Sequence, residues 1–246
     1  MRIAFFGGTF DPPHCGHLAI ARAAADRLRL DKVLFAPVGN QPLKQNSSVA
    51  GFDDRMSMVG LAVANDARFE VSAIDAPRMD GEPNYTIDTL LRLKHSLPSE
   101  DRLFSLVGAD SFLSLSHWHR AAELLFVCDF IVAGRPGSGL PGMGLPGMGL
   151  PDIEQPDTAA QHAGRPLPHG VRISGNPHST DGVLEVSLTN DSGQHAVLYC
   201  LPDLNEKMSA TTVRSSLMHG PHKGDGMAED VPEQVAEYIR AHHLYR

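Results

Sequence analysis

Apolar positions along this chain fall into short continuous blocks separated by stretches of helical spacing. Arg2 to Phe6 predicts a short buried strand that stops at Gly7-Gly8. From 17 to 30, Leu18, Ala21, Ala25 and Leu28 recur at helical spacing, with Arg22, Asp26 and Arg29 off that stripe. Val33-Leu34-Phe35-Ala36 predicts a second strand, closed by Pro37. Strand, helix and strand within about forty residues make a βαβ unit, so the first sheet pair should be parallel. Asp53 or Asp54 can cap a helix running to about Asn65, and Phe69 to Ile74 reads as a third strand. A helix from Thr86 to His95 precedes a fourth strand, Arg102 to Val107, which ends in Gly108-Ala109-Asp110. A helix around Ala121 to Val127 leads into Phe130-Ile131-Val132-Ala133. This alternation predicts an α/β fold with a doubly wound, mostly parallel sheet.

The pattern then breaks. Residues 136 to 195 are rich in Gly, Pro, His, Asp and Ser, and include the repeat Gly139-Leu140-Pro141-Gly142-Met143, Gly144-Leu145-Pro146-Gly147-Met148. Recurrent Pro and Gly do not support a helix or a central strand, so 136–195 is expected to be a flexible insertion within a single domain spanning 1–246. Regular structure should resume at Ala196 to Leu201, with two helices near Thr211 to Met218 and Pro232 to His242.

With 246 residues, 42% of them apolar, the chain can bury a sizeable core. No apolar run approaches the roughly 20 residues of a membrane span, and the N-terminal run is too short for a signal peptide, so a cytoplasmic protein without membrane partners is expected. A formal charge of −8 argues against nucleic acid as a partner, because neutralising a phosphate backbone needs a basic surface. The three cysteines, Cys15, Cys128 and Cys200, lie far apart and form no CxxC pair, which speaks against a disulfide framework or a zinc site.

The chemistry concentrates in Gly7-Gly8-Thr9-Phe10-Asp11-Pro12-Pro13-His14-Cys15-Gly16-His17, where the first strand hands over to the first helix. In open parallel sheets, ligands bind outside the carboxyl ends of strands. Glycines let backbone N–H groups approach an anion, and the positive end of the helix points to the same place. His14 and His17 are three apart and share one helical face. Glycines, amides and two imidazoles together suit a polyphosphate. Gly137-Ser138-Gly139-Leu140-Pro141-Gly142 also matches Gly-x-Gly-x-x-Gly, but it opens no helix and so fails as a dinucleotide fingerprint. His162, His169 and His178 are spread along the insertion and read as solvated rather than metal-binding.

The eleven-residue string resembles the nucleotidyltransferase family with a His-x-Gly-His motif, and within it the bacterial nicotinate-nucleotide adenylyltransferases. The likeness extends to Asn84-Tyr85-Thr86-Ile87-Asp88-Thr89-Leu90, to Gly108-Ala109-Asp110 followed by Trp118, and to Met208-Ser209-Ala210-Thr211-Thr212-Val213-Arg214. It covers residues 1 to 135 and 196 to 246. Two positions depart from the family pattern: Pro42-Leu43-Lys44 lacks a His before the cation, and Ala210 replaces a serine.

The resemblance implies a Rossmann-like nucleotidyltransferase fold and adenylyl transfer from ATP to nicotinate mononucleotide. ATP would meet Gly7, Gly8, Thr9, Phe10, His14, His17, Gly108, Asp110, Ser209, Thr211 and Arg214. His17, His14, Lys44 and Arg214 would form the catalytic set. Nicotinate mononucleotide would meet Lys44, Tyr85, Thr86, Asp110 and Trp118, and Mg2+ would be held through the ATP phosphates. Two alternatives stay open at this point: a transferase of the same fold acting on another phosphate such as phosphopantetheine, or an inactive nucleotide sensor.

Overall fold

Among the described residues, nine strands form one sheet, and six of them are parallel neighbours. The computed structural model describes residues 1–41, 49–134, 167–201 and 230–245. In chain order its elements are β1 (Arg2–Gly8), α1 (Cys15–Leu28), β2 (Lys32–Pro37), α2 (Phe52–Val63), β3 (Phe69–Val71), α3 (Thr86–Ser96), β4 (Arg102–Gly108) and α4 (Ala109–Leu113). A 3-10 turn (Leu115–His117) leads to α5 (Ala121–Leu124) and β5 (Asp129–Ala133). β6 (Val171–Ile173), β7 (His178–Thr180), β8 (Val183–Asn190), β9 (His195–Leu201) and α6 (Glu233–Ala241) complete the described elements.

β3, β2, β1, β4, β5 and β9 are parallel neighbours, so the predicted doubly wound sheet is present. Helices cover both faces, as parallel strands require. On one face α1, α2 and α6 bury Ala21, Ala25, Met58, Val59 and Val235 against Ala4, Phe6 and Phe35. On the other, α3, α4 and α5 bury Ile87, Leu90, Phe112 and Leu124 against Phe5, Val107 and Val132. Phe5 and Phe6 therefore face opposite layers, the alternation that a strand imposes on adjacent residues.

Three expectations need correction. Gly51, not Asp53 or Asp54, is the N-cap of α2; the two acids lie in its first turn, where their charge still meets the positive end of the helix. β3 stops at Val71, and residues 72–85 form a long connection instead of extending the strand to Ile74. The segment read as one flexible insertion, 136–195, contains three strands between 171 and 190. β8 pairs antiparallel with β9 along one edge and with both β6 and β7 along the other. β7 and β8 are joined through Asp181 (φ 52°) and Gly182 (φ 73°), the backbone of a tight two-residue hairpin turn. The repeat at 139–151 and the helix expected near Thr211 to Met218 lie outside the described residues.

Candidate active site

β1 and β4 are neighbours whose crossovers leave in opposite directions, which makes their carboxyl ends the switch point of the sheet. Their pairing runs from Arg2–Arg102 only to Phe5–Ser105. Each strand nevertheless continues three residues further while paired on its other side, β1 to Gly8–Pro37 and β4 to Gly108–Ala133. The two strands therefore stop pairing over their last three residues, which leaves Gly7-Gly8 and Gly108 facing a gap in the hydrogen-bond ladder.

The turn leaving β1 is locally strained. Phe10 takes a left-handed backbone (φ 49°), rare for a residue with a large side chain, and such conformations persist where the surroundings impose them. Its ring is 2% exposed and packs edge-on against Phe6 at 5.5 Å and His17 at 4.9 Å. This revises the expectation for Phe10: the side chain belongs to the core and supports His17, so only its backbone can face a nucleotide. Thr9 donates its hydroxyl to Gln41 at 2.8 Å.

His14 is the N-cap of α1, and the first turn of that helix carries no acidic residue to compete with an anion. The His14 and His17 rings lie 3.7 Å apart with planes 31° off parallel. The backbone N–H of His14 donates to Nδ1 of His17 at 3.2 Å. An Nδ1 that accepts leaves the proton of a neutral imidazole on Nε2. Burial first, and the neighbouring His14 second, hold the His17 imidazole well below its usual range. At neutral pH it is an uncharged donor.

Gly108 is the N-cap of α4, and a methyl group added there would meet no atom of the described residues within 4 Å. Asp110 follows in the first turn of α4 and is exposed. Tyr85 is the N-cap of α3, no side chain caps that helix, and Thr86 is its first residue. The Tyr85 ring stacks on His119 at 4.1 Å, which brings the start of α3 beside Trp118. Trp118 is half-buried and donates its indole N–H to Ser114 at 3.3 Å. Arg120 adds an ion pair to Asp88 at 3.7 Å, tying the Trp118 segment to α3 a second time.

The structure thus sets Gly7, Gly8, Thr9, His14 and His17 at the β1–α1 turn, Gly108 and Asp110 at the end of the neighbouring strand β4, and Tyr85, Thr86 and Trp118 together on the α3 side. Lys44, Ser209, Thr211 and Arg214 lie outside the described residues.

Residues that sequence reasoning passed over hold these pieces. Arg55, 2% exposed on α2, donates to the carbonyls of Thr9 and Val38, both at 2.8 Å. It thereby clamps the exits of β1 and β2. Asp75, 4% exposed, accepts from Thr89 at 2.6 Å, while Asn84 donates to the Ala76 carbonyl at 2.9 Å and accepts from the Asn40 backbone at 3.0 Å. Burial is the main cause that raises the Asp75 carboxyl above its usual range. This cluster fixes the 72–85 connection that delivers Tyr85. Only Asp75, between Ile74 and Ala76, carried a signal as a charge among apolar neighbours; Arg55 and Asn84 sit among polar residues and read as solvated.

Among the described residues no group of three or more His, Cys, Asp or Glu could hold a metal ion, and no helix is long and apolar enough to cross a membrane.

Residues 5–215 match the model of the cytidylyltransferase-like family. A probable nicotinate-nucleotide adenylyltransferase of Solibacter usitatus is 43% identical over 245 residues, covering 100% of both chains. One of Gloeobacter violaceus is 46% identical over 138 residues, 56% of this chain and 66% of its own. Among solved structures, Plasmodium falciparum nicotinic acid mononucleotide adenylyltransferase complexed with NaAD has the same fold, with a TM-score of 0.63 at 15% identity over 99% of this chain and 97% of that one.

Proposed function

We propose that this chain, which belongs to the cytidylyltransferase-like family and within it to the nicotinate-nucleotide adenylyltransferases, joins nicotinate mononucleotide to the AMP part of ATP. The products are deamido-NAD and pyrophosphate, a step of NAD biosynthesis, and a cytoplasmic location goes with this reading. The observation that carries it is the break in pairing between β1 and β4 at their carboxyl ends, with the close, tilted imidazole pair of His14 and His17 on the turn that leaves β1.

The nucleophile is a phosphate oxygen of nicotinate mononucleotide, and it attacks the α-phosphorus of ATP in line as pyrophosphate leaves. A phosphate monoester has a second pKa of about 6 and is already an anion near neutral pH, so no general base is needed. Catalysis then consists of holding two mutually repelling anions in line and stabilising the charge that grows on the leaving group. Backbone amides of the Gly7 to Phe10 turn and the start of α1 offer fixed dipoles for the phosphates. His17, held by His14 with its proton on Nε2, donates to a phosphate oxygen without reorganising. Lys44 and Arg214, with Ser209 and Thr211, would complete the phosphate contacts from segments that also carry family motifs.

Mg2+ fits this site as a companion of the substrate, since the described residues offer phosphate-binding donors and no protein cage. Bound to the ATP phosphates, it would supply charge neutralisation there. For the acceptor, Trp118 offers an indole face for a pyridinium ring, Tyr85 and Thr86 place the start of α3 where a carboxylate would be favoured, and Asp110 can accept from a ribose hydroxyl.

Pyrophosphate release should be measured with ATP and, in parallel, nicotinate mononucleotide, nicotinamide mononucleotide and phosphopantetheine. Turnover with the first, much weaker with the second and absent with the third is expected. Rapid turnover of phosphopantetheine alone would assign the chain to another acceptor.

A further inference from the structure

We infer that Tyr245, in the turn that follows α6, is a positioning residue for ATP, acting through the buried carboxylate of Asp11. This rests on the reading of the β1–α1 turn as the triphosphate site. Asp11 lies inside the phosphate-binding string but is 0% exposed, so it cannot touch a nucleotide itself. Among the described residues three donors meet its two oxygens. Oδ2 accepts from the Val49 backbone N–H at 2.7 Å, and Oδ1 accepts from the Ala50 N–H at 3.1 Å and from the Tyr245 hydroxyl at 2.5 Å. Hydrogen bonds to an ionised carboxylate are stronger than neutral ones, and a buried carboxylate that loses one keeps an unmet acceptor.

These bonds join three separate stretches of chain. The turn that exits β1 is one, the residues just before α2 are the second, and the end of the chain is the third. The C-terminal turn is built for this contact. His243 (φ 55°) and Tyr245 (φ 62°) both take left-handed backbone, which non-glycine residues hold only where neighbours impose it. The Leu244 N–H donates back to the Ile239 carbonyl at 3.1 Å, and Tyr238 donates to Asp54 at 3.0 Å. Tyr245 is 3% exposed and packs in the same core layer as Phe10 and Leu18. Tyr85 and Trp118 pack against the opposite layer. Loss of the Tyr245 hydroxyl should therefore loosen the ATP half of the site and spare the acceptor half.

The test is Tyr245→Phe, read by steady-state kinetics in both substrates, by calorimetric titration with ATP alone, and by thermal melting. The expected result is a KM and Kd for ATP raised roughly five- to tenfold, the scale of one lost hydrogen bond, with KM for nicotinate mononucleotide nearly unchanged. A purely structural role would lower the melting temperature and the active fraction but leave KM for ATP where it was, and that outcome overturns the inference. Should the Phe variant fail to fold, Asp11→Asn, which keeps the shape and replaces one acceptor oxygen by a donor, takes the same measurements. A wild-type protein that binds no ATP in the titration would instead sink the reading of the site. Equal ATP binding by wild type and variant would sink only the role of Tyr245.

Discussion

The parallel half of the sheet and its antiparallel extension are built from the same element by different rules. β1, β2, β4, β5 and β9 are covered by helices on one or both faces, and their central residues, such as Ala4, Phe104, Ile131 and Leu198, are fully buried. β8 alternates, with Val186 and Leu188 buried and Ser187 exposed, and every residue of β7 is exposed. Among the described residues the switch point lies in the parallel half, where β1 and β4 stop pairing three residues before their carboxyl ends. The extension contributes buried surface through Val186 and Leu188 but places none of the candidate site residues. Chemistry and stability should therefore separate when the two regions are altered.

The largest separation is expected from His17→Ala. Removing one preorganised donor to a phosphoryl-transfer transition state should lower kcat about 10²- to 10³-fold, or about 3–4 kcal/mol. The folded protein should remain, since its neighbour Phe10 keeps its packing against Phe6 and Phe35. Single-turnover kinetics with saturating ATP would measure it, and unchanged turnover would remove His17 from the mechanism.

Leu188→Ala is the counterpart in the extension. Leu188 is 1% exposed and packs in the layer with Val186 and Leu198. Truncation of such a leucine costs about 2–4 kcal/mol of stability. Denaturant unfolding should show that loss while kcat/KM per folded molecule stays at the wild-type value. A folded variant with altered ATP kinetics would mean that the extension shapes the site.

Gly108→Ala is smaller and more local. Gly108 has φ −75° and ψ 155°, a backbone that any residue adopts, and its added methyl would meet no atom of the described residues at the end of β4. Stability should hold, and ATP affinity should fall roughly tenfold, about 1.4 kcal/mol, if the nucleotide lies where β1 and β4 stop pairing. Unchanged affinity would move the nucleotide elsewhere.

The same contrast explains what could be read in the sequence. Strands buried on both faces appear as apolar runs, so Ile3 to Phe6, Val33 to Ala36 and Phe130 to Ala133 were legible, as was the imidazole pair at the start of α1. β7, with His178-Ser179-Thr180 all exposed, leaves no apolar trace. Its one signal was Asp181-Gly182, a pair suited to a tight hairpin turn, and it was masked by the Gly- and Pro-rich stretch before it. Phe10 was legible as part of a motif but not as a core residue, because its direction is set by a left-handed backbone that composition does not reveal. Arg55 and Tyr245 were not legible as supports. Their partners are tens to hundreds of positions away, with Asp11 and Tyr245 separated by 234, and no local period encodes such contacts.

The smallest effect is a pH dependence of stability that belongs to the parallel half alone. The folded state holds the His17 imidazole below its ordinary value of 6.5, through burial and then through His14. The unfolded chain therefore binds a proton that the folded protein resists. The stabilising contribution is present above pH 6.5 and is lost as pH falls below it, with a slope of at most about 1.4 kcal/mol per pH unit for this one group. His17→Asn removes that group, so unfolding free energies measured from pH 7.5 to 5.5 should fall less steeply in the variant than in wild type. Saturating ATP should also flatten the wild-type slope, because phosphate charge beside the ring favours the imidazolium and brings its pKa back toward the unfolded value. Identical slopes in wild type and variant would mean that folding leaves the His17 imidazole at its ordinary value, and that burial beside His14 does not hold its proton off.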